Sequence, residues 1–181
     1  DDAFVHPFDD PLLWTGHASM IDEVAQAGLK PDAVVLSVGG GGLLSGVVEG
    51  LKRNGWHDVP VLAVETEGAA SLHAAIAAGH PVELPAITSV ATSLGAKRVA
   101  DQALACAQNH PLHSERVTDH AALQACERFL HDHRILVEPA CGAALALAYA
   151  PERLAQYSNV LMIVCGGATA TLEQIRDWLA A

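Results

Sequence analysis

Four consecutive glycines, Gly39 to Gly42, sit inside the stretch Leu36-Ser37-Val38-Gly39-Gly40-Gly41-Gly42-Leu43-Leu44-Ser45-Gly46. The residues before them, Ala33 to Val38, form an apolar and largely β-branched run, and the residues after them follow a helical pattern. Ordering a glycine costs more backbone entropy than ordering any other residue, so packing alone is a poor reason for four in a row. Bare backbone lets main-chain N–H groups come close to an anion at the positive end of the next helix. A phosphate cradle is therefore the favoured reading. A tight strand-to-helix turn that binds nothing is the alternative.

The rest of the composition narrows the classes. A chain of 181 residues, 51% hydrophobic and only 4% aromatic, fits one domain with small residues at its helix–strand contacts. A formal charge of -11 argues against nucleic-acid and anionic-membrane partners, both of which need a basic face. No apolar run reaches the roughly 18–20 residues of a membrane span, and no signal peptide opens the chain. Cys106, Cys126, Cys141 and Cys165 form no C-x-x-C pair, which suits reduced thiols and a cytoplasmic location. The first residue is Asp1 rather than methionine, which suggests a piece of something longer.

Along the chain, strand and helix signals alternate. Strands are predicted at Phe4-Val5-His6, Ala33–Ser37, Val59–Glu65, Glu115-Arg116-Val117 and Val160–Val164, with a short segment at Ile135–Glu138. Helices are predicted from Gly16 to Gln26, Leu43 to Arg53, after Gly68 to Ala78, Ala96 to Gln108, Thr118 to His131, Cys141 to Tyr149 and Thr171 to Leu179. Residues 81 to 95, rich in Pro, Ser and Thr, read as a loop lining something. The alternation predicts an α/β fold, a doubly wound and mostly parallel sheet with helices on both faces. Ligands of such sheets sit beyond the carboxyl ends of the strands. Four unusual stretches fall there: Pro7-Phe8-Asp9-Asp10, Gly39 to Gly42, Glu65 to Ser71, and Cys165 to Gly167.

Single residues leave more than one reading open. Glu65 ends an apolar strand, where a carboxylate must be paired, cap something or hold a cation. Cys165 precedes two glycines, and a small buried hydrophobe is the commoner fate of cysteine. Asp9-Asp10 lies between Pro7 and Pro11 and reads as a turn. His131 and His133 stand two apart on a helix and face different ways, and the ten histidines show no ligand spacing. Gly39, Gly41 and Gly46 do not keep the G-x-G-x-x-G spacing of a dinucleotide site.

Taken together, Ser37 to Leu44 resembles the phosphate-binding glycine loop of the L-serine dehydratases, pyridoxal-phosphate enzymes of the tryptophan-synthase β fold (fold type II). The likeness continues in His6-Pro7-Phe8-Asp9-Asp10-Pro11, Glu65-Thr66, Ile87-Thr88-Ser89-Val90-Ala91, Val137-Glu138-Pro139-Ala140-Cys141-Gly142 and Val164-Cys165-Gly166-Gly167. The resemblance implies that Gly39, Gly40, Gly41, Gly42 and Leu43 hold the phosphate of pyridoxal 5'-phosphate. It implies that Cys165, with Gly166, faces the pyridine nitrogen. A thiol there does not keep the nitrogen protonated, so the ring is a milder electron sink and prompt loss of a β-hydroxyl is favoured over racemisation. It also implies a monovalent cation, potassium by its oxygen ligands, at Gly39, Glu65, Ala69, Ser71, Leu94 and Ala96.

One departure matters. The family's catalytic lysine lies in a Ser-x-Lys stretch, and Lys30, Lys52 and Lys97 have no such context. No catalytic residue is therefore assigned within this chain. Residues 1–181 are expected to be the C-terminal part of the cofactor-binding large domain, inactive alone and completed by an N-terminal segment or companion chain carrying the lysine. The complete protein, a homodimer by the family's habit, would eliminate water from L-serine, and from L-threonine, to give a 2-oxo acid and ammonia. The alternatives are a cysteine- or threonine-synthase-like activity, or a non-catalytic regulatory or assembly subunit.

Overall fold

The structure, a computed structural model, describes residues 4–181. Four strands, β1 (Ala33–Ser37), β2 (Val61–Thr66), β3 (Leu112–Val117) and β4 (Val160–Met162), form one sheet in the order β3-β2-β1-β4. Every pairing is parallel. Seven α-helices cover it: α1 (Pro11–Gln26), α2 (Gly42–Arg53), α3 (Ser71–Ala78), α4 (Asp101–Asn109), α5 (Asp119–His133), α6 (Pro139–Ala148) and α7 (Leu172–Ala180). The doubly wound α/β expectation holds.

Alternation along the strands explains the layers. Val34, Leu36, Val61 and Ala63 turn to one face, where they pack with Ile21 of α1, Leu44, Val47 and Leu51 of α2, and Ala103 and Leu104 of α4. Ala33, Val35, Leu62 and Val64 turn to the other, against Ala122 of α5 and Ala140, Ala143, Ala144 and Leu147 of α6. Both central strands are buried along their whole length, which is why they read as continuous apolar runs. Among the described residues no helix is long and apolar enough to cross a membrane.

Several boundaries differ from expectation. Phe4-Val5-His6 is not a strand: Phe4 and Val5 are exposed at 83% and 64%, and no described strand lies beside them to supply ladder bonds. Helix α1 starts at Pro11 rather than Gly16, because Asp10 caps it, its Oδ1 accepting from the Leu12 N–H at 2.8 Å, and Pro11 takes the first helical position. Helix α4 starts at Asp101 rather than Ala96, because the Ala100 N–H donates to the Gly40 carbonyl (2.9 Å) across the fold. Strand β3 begins at Leu112, its polar sequence being that of a sheet edge. No strand forms at Ile135–Glu138.

Candidate functional site

Strand β1 is followed by β2 on one side, but its neighbour on the other side, β4, arrives only near the end of the chain. The crevice between the carboxyl ends of β1 and β4 is therefore the topological switch point of the sheet, where ligands of open α/β sheets bind. Val35 faces Met162 in the ladder, and the Ile163 N–H donates to the Val35 carbonyl (2.9 Å). Beyond that register β1 runs on to Val38 and the glycine loop, and the chain after Ile163 runs on to Cys165, at the same carboxyl edge of the sheet. The glycine loop and the cysteine turn, 120 residues apart and more, thus flank one crevice.

The glycine loop is packed on one side and open on the other. A Cβ on Gly40 would strike the Phe8 ring, one on Gly41 the Ala103 methyl, and one on Gly42 the Phe8 backbone at 2.8 Å. A Cβ on Gly39 would lie 3.0 Å from the Ser93 carbonyl oxygen. Packing thus accounts for all four glycines, contrary to the expectation that it would not. Gly41 has φ +95°, a conformation open to glycine, and is the N-cap of α2. Among the described residues the N–H groups of Gly39 to Leu44 donate to no protein acceptor, while the chain locks behind them through Val38 N–H to the Val64 carbonyl (2.8 Å) and Ser45 N–H to the Gly41 carbonyl (2.9 Å). A row of free donors at the positive end of a 12-residue helix fits a phosphate group.

Cys165 opens the opposite wall. Of the four free cysteines it alone is exposed, which removes the reading of a small buried hydrophobe. Its thiol lies against Cys141 in the first turn of α6. The hydrogen bond from Cys165, opposed by burial and aided by the N–H groups of Gly166 and Cys165, draws Cys141 down to about 7. Donating that bond pushes the Cys165 thiol up. Cys126 reaches the same place from α5, its thiol donating to the Glu138 carbonyl at 3.3 Å. The sequence shows four scattered cysteines; the fold gathers three at one helix terminus.

Behind the glycine loop stands Glu65, fully buried at the end of β2. Its Oε1 accepts from the Leu72 N–H and its Oε2 from the His73 N–H, both at 2.8 Å, so the carboxylate caps α3. Burial nevertheless pushes its pKa up to about 7 against those two bonds and the Arg116 charge. Ser71, also fully buried, has a side-chain oxygen with no hydrogen-bond partner. A buried carboxyl group and, beside its helix cap, an orphaned hydroxyl suit a hard cation. Of the other residues expected here, Ala69 and Leu94 are buried and Ala96 is half-buried, and Leu94 packs on Gly39. Among the described residues no three His, Cys, Asp or Glu side chains are gathered as a metal site.

Other candidates fall away. Asp10 is a helix cap, and a histidine, His6, receives the N–H groups of Phe8 (3.3 Å) and Asp9 (2.8 Å) in the turn. Lys30 pairs with Asp58 at 3.0 Å on the surface, Lys97 donates to the Pro85 carbonyl, and Lys52 lies in the last turn of α2, remote from the glycine loop. A broad cavity between α5 and α6, bordered by Arg128, His131 and Tyr149, contains none of the expected site residues. Sequence reading missed Asp119 and Glu138. Asp119 holds the 81–95 loop, accepting from Ser89 Oγ (2.6 Å) and the Val90 N–H (3.0 Å), while Thr66 Oγ1 donates to Ser89 Oγ (2.8 Å). Glu138, in the Val-Glu-Pro-Ala-Cys stretch, accepts from Thr169 through its N–H (3.1 Å) and Oγ1 (2.7 Å).

The family described as "Pyridoxal-phosphate dependent enzyme" matches residues 1–166. A human protein named L-serine dehydratase/L-threonine deaminase is 52% identical over 96% of the chain, and the chain covers 56% of that protein. An L-serine dehydratase of Dictyostelium discoideum is 40% identical over 98% of the chain, with 54% of its own length covered. Among solved structures, a fungal L-serine ammonia-lyase from Rhizomucor miehei superposes with a TM-score of 0.90 at 37% identity, covering 96% of this chain and 58% of that one. The chain spans about half the length of the curated relatives it matches.

Proposed function

Because the chain belongs to the pyridoxal-phosphate dependent enzyme family, we propose that it forms the cofactor-binding part of an L-serine dehydratase, which converts L-serine, and L-threonine, to a 2-oxo acid and ammonia. The observation that carries this is the row of free N–H groups at Gly39 to Leu44, at the same sheet edge to which β4 delivers Cys165. The names and identities of the relatives favour dehydration over synthase chemistry. Bound pyridoxal phosphate would supply the electron sink that makes an amino acid's α-proton removable.

The chain's own residues divide the remaining work. Gly39, Gly40, Gly41, Gly42 and Leu43 hold the phosphate through backbone N–H groups. Cys165 and the Gly166 backbone face the pyridine nitrogen. A thiol there, unlike a carboxylate, does not keep that nitrogen protonated, so the sink is mild. A mild sink suits expulsion of a β-hydroxyl better than reprotonation of the α-carbon. Glu65 and Ser71, with the carbonyls of Gly39, Ala69, Leu94 and Ala96, hold potassium or a similar monovalent ion and brace the glycine loop.

No lysine of this chain stands at the crevice, so the reading includes a lysine on a further segment, in the same polypeptide or a companion. Val164, beside Cys165, is 42% exposed, and Ile135 is 53% exposed; large apolar side chains in such positions suit a covering segment. Homodimer formation by the complete protein belongs to the same proposal and rests on the family resemblance.

The test is borohydride reduction of the naturally produced protein, followed by peptide mass spectrometry and an assay of pyruvate formation from L-serine. A pyridoxyl adduct on a lysine outside residues 1–181, together with pyruvate formation, is the expected result. Absence of both an adduct and serine turnover would overturn the reading.

A further inference from the structure

The Cys165 turn is held by a side chain that the sequence pattern does not single out. Glu138 is buried and is the N-cap residue of α6. Its backbone N–H donates to the Gly166 carbonyl (3.0 Å), and its Oε2 accepts from the Thr169 N–H (3.1 Å) and Thr169 Oγ1 (2.7 Å). Gly167 has φ +91°, and a Cβ built on it would fall on the Glu138 carboxyl group. The carboxylate therefore occupies the inside of the turn 165–169, and the turn is wound around it. Burial works against its ionisation, but hydrogen bonding, that of Thr169 foremost, outweighs it and holds the carboxyl below the usual glutamate range.

Beyond its contact with Cys141, Cys165 itself has little else to fix it. Strand β4 ends at Met162, and the residues around Cys165 are exposed or half-buried. Gly166 and Gly167 both have positive φ, so the segment is intrinsically free to take other paths. The glycine loop, by contrast, is locked by the Val38-to-Val64 and Ala100-to-Gly40 backbone bonds, neither of which involves Glu138.

We infer that Glu138 is a positioning residue: its carboxylate fixes the Cys165–Thr169 turn and so sets where the ring end of the cofactor is held, independently of the phosphate end. This rests on the cofactor assignment proposed above. Two Thr169 donors converge on one carboxylate oxygen inside the turn, an arrangement that glutamine, which keeps one acceptor oxygen, reproduces in part and alanine not at all.

The test uses the complete enzyme freed of cofactor, as wild type and as E138Q, E138A and T169V, with folding checked by circular dichroism. Each is titrated with pyridoxal phosphate and, separately, with inorganic phosphate. E138A is expected to weaken pyridoxal phosphate by about tenfold or more, the scale of charged hydrogen bonds lost, and to shift the absorbance maximum of the bound cofactor. E138Q and T169V should fall between E138A and wild type, and phosphate affinity should change less than about twofold in all three, since no charged bond to that ligand is lost. If E138A does not fold, E138Q and T169V carry the comparison. Equal weakening of both ligands would make Glu138 a structural residue only, and no change in either would remove the role; both overturn the inference. A wild-type protein that binds neither ligand would instead overturn the cofactor assignment, and the inference with it.

Discussion

The ring of Phe8 fills the space that a side chain on Gly40 would need. Phe8 is held from the other direction by its carbonyl, which accepts from the Trp14 indole N–H at 2.8 Å. The glycine loop and the turn before α1 are therefore fitted to one another, and neither can shift alone. Gly40→Ala should cost about 1–3 kcal/mol through overpacking and lower the affinity for inorganic phosphate by displacing the N–H row. Phe8→Ala should lose stability but relieve Gly40→Ala, so the double variant should be more stable than the sum of the singles allows. Thermal melts of the four proteins check this, and strict additivity would contradict it.

Glu65 ties stability to pH, and the cation proposed at it would change that tie. Its pKa is raised to about 7 in the fold, above the ordinary glutamate value near 4.3. Between those values the folded state binds the extra proton, so stability is fully present below the lower value and is lost as pH rises through the upper one. The loss by pH 8 is on the order of 3 kcal/mol without a cation. Potassium should restore it, raising the melting temperature more at pH 8 than at pH 5. A potassium effect equal at both pH values, or none, would speak against a cation at Glu65.

His110 works with the opposite sign. It is buried, with Nε2 against the Val59 carbonyl at 2.8 Å, and burial depresses its pKa despite that bond. The unfolded imidazole takes a proton near pH 6.5 while the folded one resists, so stability holds above that pH and falls as pH drops toward the folded value. His110→Gln should flatten the decline of melting temperature between about pH 7 and pH 5. An unchanged decline would assign acid sensitivity elsewhere.

Cys165 is exposed, so its truncation removes little packing. Cys165→Ala should leave the melting temperature of the cofactor-free protein within about 2 °C while changing the absorbance of bound pyridoxal phosphate. Cys165→Asp should keep the ring nitrogen protonated and raise racemisation or transamination of L-serine relative to pyruvate formation. An unaltered product ratio would remove the ring-nitrogen contact from Cys165.

The sequence by itself determined the parallel α/β sheet, because both faces of β1 and β2 are covered and their apolar runs have no other use. It marked a candidate phosphate seat, since four glycines between a strand and a helix leave main-chain donors at a helix N-terminus. Boundaries set by local chemistry were also present in it: Asp10-Pro11 is a helix start whether or not the fold is known. What it could not contain was the meaning of contacts between residues far apart in the chain. Phe8 on Gly40 arises only where α1 packs against α2, and Cys165 on Cys141 and Glu138 inside the 165–169 turn only where the start of α6 meets the chain leaving β4. The start of α4 was likewise decided by a bond from Ala100 to Gly40 that no local pattern signals. Local periodicity and capping are written in neighbouring residues; a buried carboxylate's partners, and hence its charge and its role, are chosen by the tertiary fold.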